Sequence, residues 1–252
     1  MSIRVERDGP VTTLTIDRPH ARNALDTASA AELARAFKAF DADDDACVAV
    51  LTGAGGAFCA GADLKELADG VDYQAWATHD DGPTAPLVSK PVIAAVAGHA
   101  CAGGLGLALW CDIRIAEESA VFGVFSRRWG VPMSDGTTVR LPRVIGMGPA
   151  LDMMITGRPV GAAEARQLGL ATRVVPDGTS LAAALELAHQ VAGFPQIAMR
   201  SDRASVYAQA GRPLAEALAR ETELSLDAKR REAAGGAARF RAGAGRHGAR
   251  DS

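Results

Sequence analysis

The stretch KPVIAAVAGHACAGGLGLALWCDIRIAEESAVFG at 90–123 decides how this chain is built. VIAAVA at 92–97, after Lys90-Pro91, is a short continuous apolar run of the kind that forms a strand buried on both faces of a helix-covered sheet. GHACAGGLGLALW at 98–110 then places small residues directly after that strand, and CDIRIA resumes a strand pattern. Further upstream, CVAVLT at 47–52 has the same buried-strand form and leads into GAGGAFCAGADLKEL at 53–67, a second glycine-rich segment before a helical pattern. Backbone N–H groups at the start of a helix lack partners and can hydrogen-bond an anion where no bulky side chain blocks the approach. One such segment alone reads equally well as close helix–strand packing. Two of them, each after a buried strand, favour a pair of amides aimed at one point, which would make an oxyanion hole. Neither segment is a P-loop or a Gly-x-Gly-x-x-Gly dinucleotide fingerprint.

Elsewhere, VTTLTID at 11–17 alternates as a half-buried strand and ends at Arg18-Pro19. Asp26 is placed to cap a helix that carries Leu33, Phe37 and Phe40 on one face. Strands separated by helical stretches predict an α/β architecture for the first two-thirds. Helical patterns follow at 148–156, 162–168, 180–192 and about 212–234, with turns at Gly157-Arg158-Pro159 and Pro176-Asp177-Gly178 and a short strand at Val174-Val175. RAGAGRHGARDS at the end reads as a tail. The expected division is a core over 1–195 and a helical region over 196–252.

Composition narrows the function classes. With 48% apolar residues and 27 basic against 30 acidic side chains, the 252-residue chain is neither disordered nor charged for a nucleic-acid partner. Cys47, Cys59, Cys101 and Cys111 are too few and scattered for a disulfide scaffold and have no Cys-x-x-Cys spacing, so they read as buried thiols rather than metal ligands. Arg4, Glu6, Arg7 and Asp8 interrupt any signal-peptide core, and no apolar run reaches the roughly 18 residues of a membrane span. A cytoplasmic protein without a membrane partner is expected.

Taken together, RPHARNAL at 18–25, GAGGAFCAGADLKE at 53–66, the 90–123 stretch, GTTVRLPRVIG at 136–146 and TGRPVGAAEARQLGLATRVVP at 156–176 resemble the crotonase superfamily, the enoyl-CoA hydratase/isomerase proteins, over nearly the whole chain. The resemblance implies a crotonase-like spiral of ββα units, a C-terminal helical region that forms trimers or hexamers, and a coenzyme A thioester as substrate with no prosthetic group. It implies that the N–H groups of Ala62 and Gly103 form the oxyanion hole. Coenzyme A would lie along Arg22 to Ala24 and along Ala60, Asp63, Leu64 and Lys65, with Arg22 and Lys65 as phosphate-facing candidates and equally readable as solvated side chains.

The chain departs from the hydratase pattern at two places. The two glutamates that hold and activate water in those enzymes fall here on Gly106 and Ser126, and neither residue can act as a carboxylate base. A carboxylate is supplied instead by Asp135, in the FSRRWGVPMSDGTTVRL segment at 125–141. Some isomerases of the superfamily place a catalytic aspartate at or next to this point. Asp135 also fits as an N-cap in Asp-Gly-Thr-Thr, or in another ligand-facing role. Double-bond isomerisation through one carboxylate is therefore the preferred reaction; an atypical hydratase and a non-catalytic acyl-CoA-binding protein are the alternatives. His99 reads as a packed residue or a base, His79 as part of a polar loop, Asp63 as a helix cap, Glu117-Glu118 as a solvated turn, and Arg127-Arg128 and Arg140/Arg143 as phosphate contacts or ion pairs. Residues 68–89 show no periodicity and read as a mobile segment that sets acyl specificity.

Overall fold

The computed structural model describes residues 1–72, 74–85 and 88–243. Val11, Leu14 and Ile16, with no solvent exposure, place the second strand at the centre of the core. A hairpin opens the chain: β1 (Ile3–Asp8) and β2 (Val11–Ile16) pair antiparallel. After α1 (Thr27–Ala42), β3 (Val48–Gly53) joins β2 in parallel. Following α2 (Leu64–Ala68), β4 (Val92–Val96) extends the sheet, and β5 (His99–Cys101) leaves it. Then come α3 (Gly103–Trp110), β6 (Ile113–Glu117), β7 (Val121–Gly123), α4 (Thr137–Ile145), α5 (Met147–Thr156), β8 (Val160–Gly161), α6 (Ala162–Gln167) and β9 (Arg173–Val175). The main sheet runs β1-β2-β3-β4-β6-β9, parallel beyond the first pair, and a small sheet runs β5-β7-β8. Parallel strands need crossover connections.

The two strand runs, 47–52 and 92–97, form as expected, and every residue of β4 is buried. Every residue of α3 is buried too, because GGLGLALW is apolar all round and has no face suited to water. The sequence reading did not find β1 or the helix over 196–208. Five of the six β1 residues are exposed, and that helix buries none, so neither carries the apolar periodicity by which elements are recognised.

The chain divides into a unit of Met1–Val191 and a second unit beginning at Ala192, the boundary falling at the end of α7 (Ser180–Ala192). The second unit contains α8 (Gln196–Ala208), α9 (Leu214–Ala228), a π turn over Lys229–Ala233 and α10 (Ala234–Ala242). The Glu232 carboxylate accepts from the N–H groups of Ile197 and Ala198 and so serves the open amides at the start of α8. Most of the tail read at the end of the sequence, from 244 onward, lies outside the described residues.

Candidate active site

The two glycine segments meet. Cys59 N–H donates to the His99 carbonyl (2.9 Å) and Cys101 N–H to the Cys59 carbonyl (3.0 Å), a short parallel bridge that draws the segments together. A Cβ on Gly61 would stand 2.8 Å from the Gly103 nitrogen, so the residue before Ala62 lies directly against Gly103. No turn, loop or side-chain acceptor takes the N–H of Ala62 or of Gly103 among the described residues, and Gly103, at the head of α3, has no preceding helical turn to donate to. Ala102 before it has φ 48° and ψ −123°, a strained conformation for a residue with a Cβ.

The first segment is held by side chains. Fully buried Asn23 donates to the carbonyls of Ala54 (2.8 Å) and Ala57 (2.6 Å) and accepts from the Arg18 N–H (2.9 Å). The guanidinium of Arg18 reaches the Ala24 carbonyl and the carboxylates of Asp26 (2.7 Å) and Asp63 (3.4 Å). Ala60 N–H donates to the Arg22 carbonyl, Leu25 N–H to Gly61 and Asp63 N–H to Leu25, so RPHARNAL lies alongside 60–63.

Ala62 and Gly103 share a cavity of about 150 Å³ with Arg22, Ala60, Leu64, His99, Phe125, Ser126, Met133 and Asp135 among others. Asp135 is the only carboxylate among the described residues of its wall. It is 2% exposed, and a Cβ on Gly106 would fall 2.6 Å from its Cγ and 2.8 Å from Oδ2. The carboxyl thus fills the space into which a side chain at 106 would grow. Gly106 is three residues beyond Gly103 on α3, so the residue the carboxyl packs against stands roughly 4.5 Å along the axis from Gly103. Oδ1 accepts from the Thr137 N–H (2.8 Å), so Asp135 serves the start of α4 and lines the cavity at once. Burial pushes its carboxyl above the usual carboxylate range, against the opposing pull of the Thr137 hydrogen bonds and the Arg140 charge.

Of the other expected residues, Arg22, Ala60 and Leu64 line this cavity, whereas Ala24, Asp63 and Lys65 lie outside its wall. Ser126 is buried and donates to the Met133 sulfur (3.2 Å), a weak acceptor. Arg22 and Lys65 are exposed, Leu64 is 41% exposed, and Ala24 is buried. Asp63 caps α2 through the Lys65 N–H (3.1 Å) while paired with Arg18, so its charge is already engaged. His99 is exposed on the cavity rim rather than packed.

Three readings are corrected. Glu117 is no solvated turn: it ends β6, buried, and accepts from the Ser180 hydroxyl (2.8 Å) at the start of α7. Arg140 holds two backbone carbonyls instead of standing free for phosphate. Cys47 is only partly buried, whereas the other three cysteines are buried. Burial pushes the thiols of Cys59 and Cys101 up to about 12, leaving them inert as nucleophiles near neutral pH. Sequence reading missed Trp76, whose ring edge would stand 2.5 Å from a Cβ on Gly103; a lone tryptophan in an aperiodic segment gives no signal of its partner.

Parallel strands feeding buried glycine turns and a helix-head amide define the class: this is the crotonase fold, with its ββα units. A family model described as Enoyl-CoA hydratase/isomerase matches residues 6–240, and the chain belongs to that family. It is 38% identical over 229 residues to an enoyl-CoA hydratase of Mycobacterium tuberculosis, covering 88% of this chain and 86% of that one. To the 2,3-dehydroadipyl-CoA hydratase of Escherichia coli it is 36% identical, with 87% of each chain covered. The crystal structure of an enoyl-CoA hydratase from Mycobacterium marinum superposes with a TM-score of 0.89 at 33% identity over 95% of both chains.

Proposed function

We propose that this enzyme takes an unsaturated acyl-CoA thioester and moves its double bond. The N–H groups of Ala62 and Gly103 would receive the thioester oxygen, and Asp135 would carry the proton. The observation that carries the reading is the Asp135 carboxyl packed beside Gly106, in the space a glutamate at 106 would otherwise use. The chemistry balances with one carboxylate. Asp135 takes a proton from C2 of a 3-enoyl thioester, the C–H electron pair enters the conjugated system as a dienolate held by the two amides, and the same carboxyl returns the proton at C4. No water is consumed. A buried base with a raised pKa is stronger than an exposed carboxylate and better matched to a weakly acidic C–H. Exposed Arg22 and Lys65 flank the 60–65 strip and are open to the coenzyme A phosphates, with Ala24, Ala60 and Leu64 as its apolar floor. Asp63, committed to Arg18, would hold that strip in place without touching phosphate.

A second reading, hydration with Asp135 alone activating water, is favoured by the names of the relatives, which are hydratases. Mass spectrometry of an acyl-CoA panel in heavy water separates the two. Migration of the double bond with no gain of water is expected, deuterium entering the α- or γ-carbon as the proton held on Asp135 exchanges with solvent over repeated turnovers; addition of water to a 2-enoyl thioester overturns isomerisation, and binding without turnover supports an acyl-CoA-binding protein. Asp135→Asn is expected to lower kcat by about 10²–10⁴-fold, the usual worth of a positioned base, at unchanged affinity for the thioester.

A further inference from the structure

We infer that Arg140 is a positioning residue that ties the wall segment 74–85 to the backbone carrying Asp135, holding both faces of the site in one geometry. Its Nη1 donates to the Asp135 carbonyl (3.0 Å) and its Nη2 to the Thr84 carbonyl (3.0 Å). One planar guanidinium therefore joins the backbone at Asp135 to a carbonyl that lies 56 residues before Arg140 in sequence. The path of this side chain requires Gly136: a Cβ there would overlap Nη1, and the φ of +87° is one that side-chain-bearing residues avoid. Beside it, Ala77 N–H donates to the Ser134 carbonyl (3.2 Å), a second tie between the same two segments.

The tied segment reaches the amides. Trp76, next to Ala77 and 4% exposed, lays its ring against Gly103 and lines a smaller cavity of about 40 Å³ that shares Ala62, Leu64 and Val131 with the first. Releasing Arg140 would loosen Trp76 on one side of Gly103 and the Asp135 carboxyl on the other. The groups facing that carboxyl are the Arg140 cation from α4, the neutral Cys59 thiol from the first glycine segment and the N–H of Thr137. Among the described residues Arg140 is the cation that acts on it, favouring the carboxylate, while exposed Arg22 and His99 line the same cavity.

This inference rests on Asp135 being the base, and two measurements keep the two ideas apart. In Arg140→Gln, amide hydrogen exchange across 74–85 should accelerate at least tenfold while α3 keeps its protection. The acid limb of kcat/KM should move to higher pH, because loss of the cation leaves the carboxyl harder to ionise. Arg140→Lys, which retains the charge but has no planar fork, should restore the acid limb and leave 74–85 under-protected; it also serves if the glutamine variant does not fold. Unchanged exchange across 74–85 in the folded variants overturns the tie. A shifted exchange rate with an unmoved acid limb overturns the link to Asp135. Should Asp135→Asn retain full activity, the reading of Asp135 as base fails, and hydrogen exchange alone then decides whether Arg140 holds the segment.

Discussion

The two glycine segments reach one cavity by different means. The first, ending at Ala62, is shaped in good part by polar side chains: Asn23 bonds two of its carbonyls, and Arg18 pairs with Asp63 just beyond it. The second, beginning at Gly103, is shaped by the lack of side chains. Gly103 faces the Trp76 ring, Gly104 the Cys59 carbonyl and Gly106 the Asp135 carboxyl, each closer than a Cβ allows. Gly61 packs against Gly103 as well, so the contrast is one of degree: side-chain hydrogen bonds, which a substitution can unmake, are added to packing in the first segment and not in the second, which a substitution can only overfill.

The contrast breaks most severely at Asn23. Replacing it with alanine leaves two carbonyls and one N–H, all partly buried, without this partner, an expected loss of about 3 kcal/mol from three net hydrogen bonds, read as a lower urea midpoint with unchanged m. A loss below half of that would mean water replaces the amide and the loop is not held by this side chain.

In the second segment, Gly104→Ala and Gly106→Ala sharpen the distinction between rigid and yielding neighbours. The methyl at 104 meets a backbone oxygen that cannot turn aside, so about 2 kcal/mol of destabilisation is expected. At 106 it meets the Cγ, Oδ2 and Cβ of one side chain, of which rotation relieves only the first two; stability should fall by about 1 kcal/mol, less than at 104, while activity drops through displacement of Asp135. Equal losses of stability at both positions would show that Asp135 is as immovable as backbone.

The smallest expected effect is a gain. Because burial raises the Asp135 pKa in the folded state, its stabilising contribution is present below the unfolded carboxylate pKa and lost as pH rises through the folded value. Asp135→Asn keeps an oxygen for the Thr137 N–H and never ionises, so its thermal midpoint should match the parent in acid and exceed it near neutrality. A midpoint lower than the parent at neutral pH would mean that the charge is needed for the cap. A destabilising group retained at a cavity wall is the pattern expected where function opposes stability.

Much of this was legible in the chain. The buried strands at 47–52 and 92–97 and the glycine runs after them are local patterns, and the absence of glutamate at 106 and 126 is plain in the sequence. The role of Asp135 stayed open between cap and catalysis because both use the same Asp-Gly-Thr-Thr context; in the folded chain one oxygen serves the cap while the other lies against Gly106. Trp76 and Arg140 were illegible for a different reason: their partners are Gly103 and Thr84, and nothing in either local pattern marks a contact that only the fold creates.

The sequence by itself determined the α/β order, the buried strands, the paired glycine turns and the absence of glutamate at 106 and 126, since each depends on residue type and spacing along the chain. Only the tertiary structure decided that the Asp135 carboxyl lies beside Gly106, and that one guanidinium, that of Arg140, bonds both the Asp135 and the Thr84 carbonyl. Those two facts depend on which atoms occupy the same few cubic ångströms, and close packing settles that among residues the chain keeps far apart.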